Sequence, residues 1–296
     1  MLIKIPYKLT HDYCQEFIYK NVLIPILREN INSFILDFSS ITFIDPSGVA
    51  ALYNSMRVFS YHEADVSFIN HDIQTKVNLY LDDCEFFLHF LNIRVFRGRG
   101  TRNTTVPIHI FDVNNYYGHL NGKLIPWIAL SLNTCPKYLE VLRATLEEAY
   151  HNVSYHSGVK EGCVFAQHFP KKKELEIVIS DHGKGIPTLV KSKIPNISDH
   201  DALKKAFEKG FTTGSVVQNR GWGLWQLANF TAQKNGGLVT ISSGFGIATG
   251  TRGVSDPIIK VRSLKYSYPG TLVRVVLKTD ILEQLNYDTE EEVFEW

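Results

Sequence analysis

The sequence has few cysteines, no long apolar run and almost no net charge. Its 296 residues include Cys14, Cys84, Cys135 and Cys163, without the close pairs of a zinc site or the density of a disulfide scaffold. No apolar run approaches the roughly 20 residues that span a bilayer, and the first residues lack the apolar core of a signal peptide. We therefore expect a reduced, cytoplasmic protein whose cysteines fill its core.

The charge balance and the composition exclude specialised classes of protein. A net charge of +1 gives no reason to expect nucleic acid or an anionic membrane as an obligatory partner. An apolar share of 44% and a charged share of 21% are ordinary for a globular protein. The length permits two domains. The sequence patterns place them at 1–95 and 136–280, with a connecting segment at 96–135 and an acidic tail at 281–296.

The first part of the chain alternates between strand and helix patterns. Short β-rich runs occur at 2–5, 34–44 and 64–70. Helical apolar spacing separates them, at 11–23, from Val49 to Met56 and at 75–91. This β-α-β-α order predicts a small α/β domain.

Arginines cluster where this first domain ends. Arg94, Arg97, Arg99 and Arg102 alternate with glycines, a pattern typical of a solvated loop and also of an arm that contacts an anion or nucleic acid. Both interpretations stay open. The following segment, 106–127, has an ambiguous pattern and could hold a pair of strands.

The second half of the chain has clearer periodicity. Apolar residues at three- and four-residue steps predict a helix from Pro136 past Val153. A hairpin follows, and its second strand, 174–180, alternates like a half-buried strand. The remaining predictions are a first hairpin strand at 162–169, helices at 198–209 and 223–235, and late strands at 258–266 and 271–278.

Three polar residues follow one face of the long helix. Glu148, Asn152 and His156 are four residues apart, so their side chains lie on nearly one face. The Asn152 amide oxygen suits magnesium, a hard cation that shares phosphate oxygens. Glu148 could accept a proton from a water or hydroxyl that attacks a terminal phosphate. His156 lies about 12 Å from Glu148 along the axis, which indicates a structural role, and the whole pattern is also typical of a surface helix.

A second polar motif follows the strand at 174–180. Asp181 at the strand end can accept a hydrogen bond from an exocyclic amino group, which would select adenine. Gly183 and Gly185 remove side chains, so that the backbone can approach a base closely. Asp-x-Gly-x-Gly is also a common turn, and this alternative stays open.

A glycine-rich loop and a late strand supply residues for phosphate. The loop from Gly210 to Gly223 runs into a helix start, whose free amides and positive dipole end favour an anion. No Gly-x-x-x-x-Gly-Lys-Ser/Thr loop occurs, and no Gly-x-Gly-x-x-Gly follows a strand. The candidate residues on the phosphate side are Thr212, Thr213, Arg220, Gly221, Gly223 and Thr271.

Taken in order, these motifs resemble the GHKL ATPase domain that gyrase, heat-shock chaperones, histidine kinases and mismatch-repair ATPases share. The resemblance covers residues 137–280 and includes the Phe-Thr-Thr lid start at Phe211. It implies a Bergerat α/β sandwich, with a mixed sheet backed by helices and with ATP and magnesium between helix and lid. It also implies that Glu148 is the general base, that Asn152 binds magnesium and that Asp181 reads adenine. Gly183 and Gly185 would shape the base pocket, and Gly221, Gly223 and Thr271 would border the phosphates.

The first domain resembles a STAS domain of the anti-sigma-factor-antagonist type. The likeness lies in Leu-Asp-Phe at 36–38 and in the run from Phe43 to Leu52. In such antagonists a partner GHKL kinase phosphorylates a serine at this strand-to-helix turn, so the resemblance implies Ser47 as phosphoacceptor. The preceding residue is Pro46, where the family usually has a small residue. Ser47 also suits an N-cap that bonds the first turn of its helix.

Two functions follow from these resemblances. The first is an ATP- and magnesium-binding switch of bacterial signalling with slow hydrolysis, which controls a STAS- or sigma-factor-type partner through its lid and STAS surfaces. The second is a serine protein kinase that phosphorylates a STAS-domain serine. Because that partner switch normally uses separate proteins, kinase activity ranks second. The partner's identity and a homodimeric state stay open.

Three other functions fit the sequence less well. A sensor histidine kinase needs a two-helix hairpin with an acceptor histidine, whereas 102–136 holds prolines and strand-like segments around His109 and His119. A gyrase- or chaperone-like machine needs a transducer domain, for which little sequence follows the last strand. A scaffold without hydrolysis is disfavoured because Glu148 and Asn152 are both retained.

Overall fold

The fold is mixed α/β, in agreement with the expected class. The computed structural model describes residues 1–112, 115–156, 158–159, 161–211 and 223–282, with the backbone alone at 138 and 152–156. Within these ranges, no helix combines the length and the apolar character needed to cross a membrane.

Residues 1–95 form a small α/β unit, called here the N-terminal unit. Its strands are β1 (Leu2–Lys4), β2 (Lys8–Leu9), β3 (Ser33–Asp37), β4 (Phe43–Ile44) and β5 (Asp65–Ile69). All of them pair in parallel, in the order β1-β3-β5 and as a separate pair β2-β4. Parallel strands need long crossovers, which here are helices.

The helices of the N-terminal unit are α1 (His11–Ile18), α2 (Ile24–Glu29), α3 (Pro46–Tyr61), α4 (Lys76–Asp83) and α5 (Phe86–Leu91). A π-helical turn joins α1 to α2, so this helix continues past its predicted end. The single helix predicted at 75–91 is wrong, because the chain adopts a left-handed conformation at Glu85, with φ at 64°, and starts a new helix there.

A five-stranded sheet forms the centre of the molecule. Its strands are β6 (Thr105–Asp112), β7 (Glu161–Phe169), β8 (Glu174–Ser180), β9 (Leu238–Thr251) and β10 (Ile258–Lys278). They pair antiparallel throughout, in the order β6-β7-β8-β10-β9, where the resemblance implied a mixed sheet. The two late strands predicted are one strand with register shifts around Tyr268, and β9 was not predicted.

Helices cover one face of this central sheet. They are α6 (Tyr116–His119), α7 (Ile125–Ser131), α8 (Glu140–His156), α9 (Gly185–Lys193), α10 (Asp199–Ala206) and α11 (Gly223–Ala228). Ser198, where the helix predicted at 198–209 begins, caps α10 by accepting the Asp201 amide hydrogen. The segment 96–135, expected to connect two domains, contributes β6 to the central sheet, α7 to the layer of helices and residues of both to the core between them.

The N-terminal unit covers the opposite face of the central sheet. Along β8, Ile177 and Ile179 pack into the core beneath α8, whereas Val178 packs into the core shared with the N-terminal unit. Helices α1 and α3 lie between the two sheets, with α3 against β7 and β8. The prediction that 174–180 is half-buried is therefore wrong, because both faces of β8 are covered.

The arginine-rich segment is attached to the N-terminal unit. Arg94 donates to the Asp82 carbonyl oxygen at 2.6 Å and to the Glu85 carboxylate at 2.7 Å. Arg99 and Arg102 both pair with the carboxylate of Asp83, which is fully buried. Three of the four arginines therefore make structural ion pairs within the protein. The segment is neither a purely solvated loop nor a free arm.

The cysteines are free thiols. Cys14, Cys84 and Cys163 are buried, as expected for residues that fill the core. Cys135 is exposed, so the expectation is wrong for this position.

Candidate functional site

Three neighbouring strands of the central sheet bring the candidate base-binding residues together. Asp181 directly follows β8, and its amide donates to the Thr271 carbonyl oxygen on β10 at 2.9 Å. Thr271 pairs in register with Ser243 on β9. Antiparallel pairing therefore places the end of β8 beside the middle of β10 and β9, and residues from three separate parts of the sequence meet there.

The side chain of Asp181 is buried, with 2% exposure. Its Oδ1 accepts the Gly183 amide hydrogen at 2.7 Å. Burial raises the pKa of this carboxyl to about 7, although the Gly183 and Thr271 amides favour the charged form. A buried carboxyl with a pKa far from its ordinary value is typical of a functional site.

Two glycines lie near this carboxyl, in closely packed surroundings. Gly185 and Gly270 have φ of 74° and 71°, a left-handed conformation that glycine adopts without strain. A Cβ on Gly270 would overlap the Asp181 side chain and lie 2.6 Å from the Gly183 nitrogen. A Cβ on Gly185 would lie 2.7 Å from the Ser243 hydroxyl oxygen. Gly185, the second glycine of the Asp-x-Gly-x-Gly motif, is thus required by its surroundings.

Ser243 belongs to the site but was not predicted from the sequence. Its hydroxyl donates to the Gly270 carbonyl oxygen at 2.7 Å and accepts the Ile186 amide hydrogen at 2.9 Å. It also lies 3.2 Å from the Thr271 hydroxyl. Ser243 therefore fixes both the start of α9 and the turn before Thr271. No sequence signal marked it, because β9 itself was not predicted.

Glu148 lies half-buried on α8, where burial raises its pKa, partly opposed by His151. Its carboxylate lies against the backbone of Gly223 at the start of α11, where a Cβ would overlap it. The neighbouring Glu147 instead pairs with Arg143, at 3.1 Å. The structure thus separates two adjacent glutamates and places only Glu148 at the glycine of the loop that was predicted to bind phosphate.

The end of α8 approaches the segment that follows Asp181. A Cβ on Gly158 would lie 3.1 Å from the Lys184 side chain, so the chain leaving α8 passes beside this segment. Asn152 lies on α8 one turn after Glu148, but its side chain, like that of His156, is outside the described part of the structure. The predicted residues Thr212, Thr213, Arg220 and Gly221 also lie outside the described residues.

Ser47 lies in the first turn of α3, away from solvent. Its exposure is 0%, and its hydroxyl has no hydrogen-bond partner among the described residues. The N-cap is Asp45, whose carboxylate accepts the Gly48 amide hydrogen at 2.8 Å. The N-cap interpretation of Ser47 is therefore wrong. As a phosphoacceptor, Ser47 is inaccessible in this arrangement, because a kinase would have to unpack α3 first.

No protein-family model matches the chain, and no curated protein is detectably similar to it. In the described part of the chain, no group of three or more histidine, cysteine or acidic side chains is arranged for a metal ion. Any functional assignment therefore depends on the geometry around Asp181 and Glu148.

Proposed function

We propose that this chain binds ATP and magnesium in a GHKL-type site and acts as a nucleotide-dependent regulatory switch with slow hydrolysis. The N-terminal unit would be STAS-like and residues 136–280 would form the Bergerat sandwich. The observation that carries the proposal is the buried Asp181 carboxyl, which accepts the Gly183 amide hydrogen and is packed closely against Gly270. Burying a carboxyl costs stability, and such a cost is typical of a residue retained for binding.

Asp181 fits the recognition of adenine. A carboxylate accepts about four hydrogen bonds, and the Gly183 amide occupies only part of this capacity. Adenine presents an amino donor where guanine presents a carbonyl acceptor. A carboxylate at this position therefore attracts adenine and repels guanine. Gly183, two residues further on, carries no side chain that would block a base at this carboxyl.

Glu148 and Asn152 fit the phosphate end of the same ligand. Magnesium keeps several waters and needs few protein ligands when it shares phosphate oxygens, so one amide on α8 suffices without an acidic cluster. Burial makes Glu148 a stronger base by raising its pKa. The missing side chain at Gly223 is what allows this carboxylate to lie against the backbone at the start of α11. When bound, magnesium would supply positive charge against the phosphates.

The burial of Ser47 favours a switch over a kinase that acts on its own chain. A phosphoacceptor must reach the terminal phosphate, whereas Ser47 lies in a closed core. A kinase acting on the STAS domain of a separate protein is the second candidate. The two candidates differ in the fate of the terminal phosphate of labelled ATP. The kinase transfers it to a STAS protein, whereas the switch releases only ADP and free phosphate.

Isothermal calorimetry with magnesium and ATP tests the proposal. The wild-type chain should bind ATP only with magnesium, and Asp181→Asn should abolish binding. Glu148→Ala should retain binding but lose turnover, because it removes the base and not the base pocket. Glu147→Ala is the matched control, since its carboxylate pairs with Arg143 and should affect neither quantity. Absence of magnesium-dependent ATP binding by the wild type would overturn the proposal.

A further inference from the structure

A buried hydrogen-bond network joins the N-terminal unit to the residues that hold Asp181. Asn54 on α3 is 1% exposed. Its Nδ2 lies 2.7 Å from the Ser180 hydroxyl, 2.9 Å from the Asp181 carbonyl oxygen and 2.8 Å from the Tyr268 hydroxyl. These partners lie on β8, directly after it and on β10, so one side chain of the N-terminal unit contacts two of the three strands that form the base site.

One assignment of the hydrogens uses every donor of this network. Asn54 Nδ2 has two hydrogens, and the Asp181 carbonyl oxygen, which can only accept, takes one. Ser180 donates its single hydrogen to the Thr271 carbonyl oxygen at 2.9 Å. Tyr268 then donates to Ser180, at 2.9 Å, and accepts the second Asn54 hydrogen. In this assignment every donor is used, and the Ser180 oxygen lies beside Asn54 Nδ2 without receiving its hydrogen.

This network fixes the peptide that carries the Asp181 carboxyl. On one side, Asn54 holds the Asp181 carbonyl oxygen, and on the other, the Gly183 amide holds Oδ1. A Cβ on Gly270 would overlap the same carbonyl, so the space around it is filled. Displacement of α3 would leave this carbonyl without its Asn54 partner and free the end of β8 to shift.

We propose that Asn54 is a positioning residue for adenine recognition, through which docking of the N-terminal unit controls nucleotide binding. The inference rests on the proposed ATP site. It deepens that proposal by naming the contact that couples the site to the regulatory surface. Because coupling between two equilibria is reciprocal, nucleotide binding would also strengthen the docking of α3 on the sheet.

The experiment compares affinities of the full chain for ATP and for inosine triphosphate, which lacks the exocyclic amino group. Asn54→Leu keeps the side-chain volume but cannot donate to the Asp181 carbonyl. We expect ATP to bind about tenfold more weakly, the loss that removal of a buried hydrogen-bond partner gives. We also expect the preference for ATP over inosine triphosphate to fall by a similar factor, because the displaced carboxylate no longer meets the amino group.

The preference between the two nucleotides separates positioning from general destabilisation. A variant that is merely less stable loses affinity for both nucleotides equally and keeps the ratio. Tyr80→Phe is the matched control. It removes a hydroxyl that reaches Gln167 across the same interface, at 3.4 Å, at the other end of the sheet, and it should leave both affinities unchanged.

Tyr268→Phe gives a second route if Asn54→Leu does not fold. It keeps the ring and removes one hydroxyl of the network, so a smaller loss of ATP preference, about threefold, is expected. If both variants bind ATP with the wild-type affinity and keep the wild-type preference for ATP over inosine triphosphate, the role of Asn54 is overturned. The proposed ATP site would be unaffected by that result. A wild-type chain that binds neither nucleotide would instead overturn the ATP site.

Discussion

At the scale of single residues, Asp181 lowers the stability of the folded protein at high pH, although the proposed function needs it. Burial raises its pKa from 3.8 to about 7, so the folded state holds this proton more tightly than the unfolded chain does. The stability contributed by Asp181 is therefore fully present below about pH 4 and is lost as the pH rises through about 7. Above that pH the folded protein carries an ionised carboxylate in its interior.

Asp181→Asn should consequently stabilise the protein at pH 8 while it abolishes ATP binding. Asparagine keeps an oxygen for the Gly183 amide hydrogen and carries no charge. The gain in the free energy of unfolding should reach roughly 4 kcal/mol at most, at about 1.4 kcal/mol for each unit of pKa shift. Urea unfolding at pH 8 and at pH 4 measures it, and the two curves should converge at pH 4. A variant less stable than the wild type at pH 8 would contradict the prediction.

Gly223 is the second residue at which packing predicts function. Gly223→Ala adds a Cβ that overlaps the Glu148 carboxylate, so this side chain must move. We expect ATP turnover to fall at least about tenfold, with a loss of about 1–3 kcal/mol in the free energy of unfolding from overpacking. Gly100→Ala is the control, because nothing lies within 4 Å of the added Cβ. Unchanged turnover in Gly223→Ala would separate Glu148 from catalysis.

At the scale of elements, two arginines tie the segment after α5 back to the end of α4. The Asp83 carboxylate is fully buried, and Arg99 and Arg102 approach it at 3.0 and 2.6 Å. The double variant Arg99→Ala and Arg102→Ala leaves this charge without its partners. We expect a loss of about 1–3 kcal/mol, discounted because both arginines are more than a third exposed.

Adding Asp83→Asn to this double variant should recover part of the lost stability, because the buried site then carries no charge. Urea unfolding of the single, double and triple variants gives the coupling energy. If the triple variant is no more stable than the double, the buried charge is not the source of the loss. The segment 94–102 would then act through its backbone contacts alone.

Helices and strands with regular apolar spacing were predictable from the sequence, whereas interrupted ones were not. The helix α8 and the hairpin of β7 and β8 follow their apolar periodicity closely. Glycines at 244, 246 and 250 interrupt the pattern of β9, which was therefore missed. The strand β10 was predicted as two strands because its register shifts around Tyr268. The residue types that bend a strand are also those that form a turn between two strands.

The candidate site was predictable only where its residues belong to the motifs that carry the resemblance. Asp181 and Gly185 belong to one motif, and their convergence with Thr271 agrees with the expected order of motifs. Asn54 contacts Asp181 across 127 positions, and no local pattern marks such a contact. One signal was present in the apolar run Ile177-Val178-Ile179, which is typical of a strand that is buried on both faces.

At the scale of the whole molecule, one sheet serves two cores. Leu175 and Ile177 of β8 belong to the core beneath α8, whereas Phe165 and Val178 belong to the core that includes Phe34 of the N-terminal unit. The helices and the N-terminal unit thus share the central sheet as a common wall. Loss of either layer exposes an apolar face of this sheet, so the two layers stabilise each other.

This shared sheet predicts that the chain unfolds in one cooperative transition. All four tryptophans lie at or after Trp127, so their fluorescence reports on the part of the chain that follows the N-terminal unit. Phe34→Ala removes a buried ring that packs against Phe59 in the N-terminal unit, with centroids 4.5 Å apart, at a cost of about 3–5 kcal/mol. The tryptophan transition should nevertheless move to a lower urea concentration and coincide with the loss of circular dichroism.

Tyr61→Ala provides the control for that experiment, because Tyr61 is an aromatic residue of the same unit that is 73% exposed. It should leave both transitions close to those of the wild type. If the N-terminal unit folded independently, Phe34→Ala would instead produce an early circular dichroism transition and leave the fluorescence unchanged. Coincident shifts are expected because Phe34 and the β8 residue Val178 belong to one core, so destabilising the N-terminal unit removes support from the strand that carries Asp181.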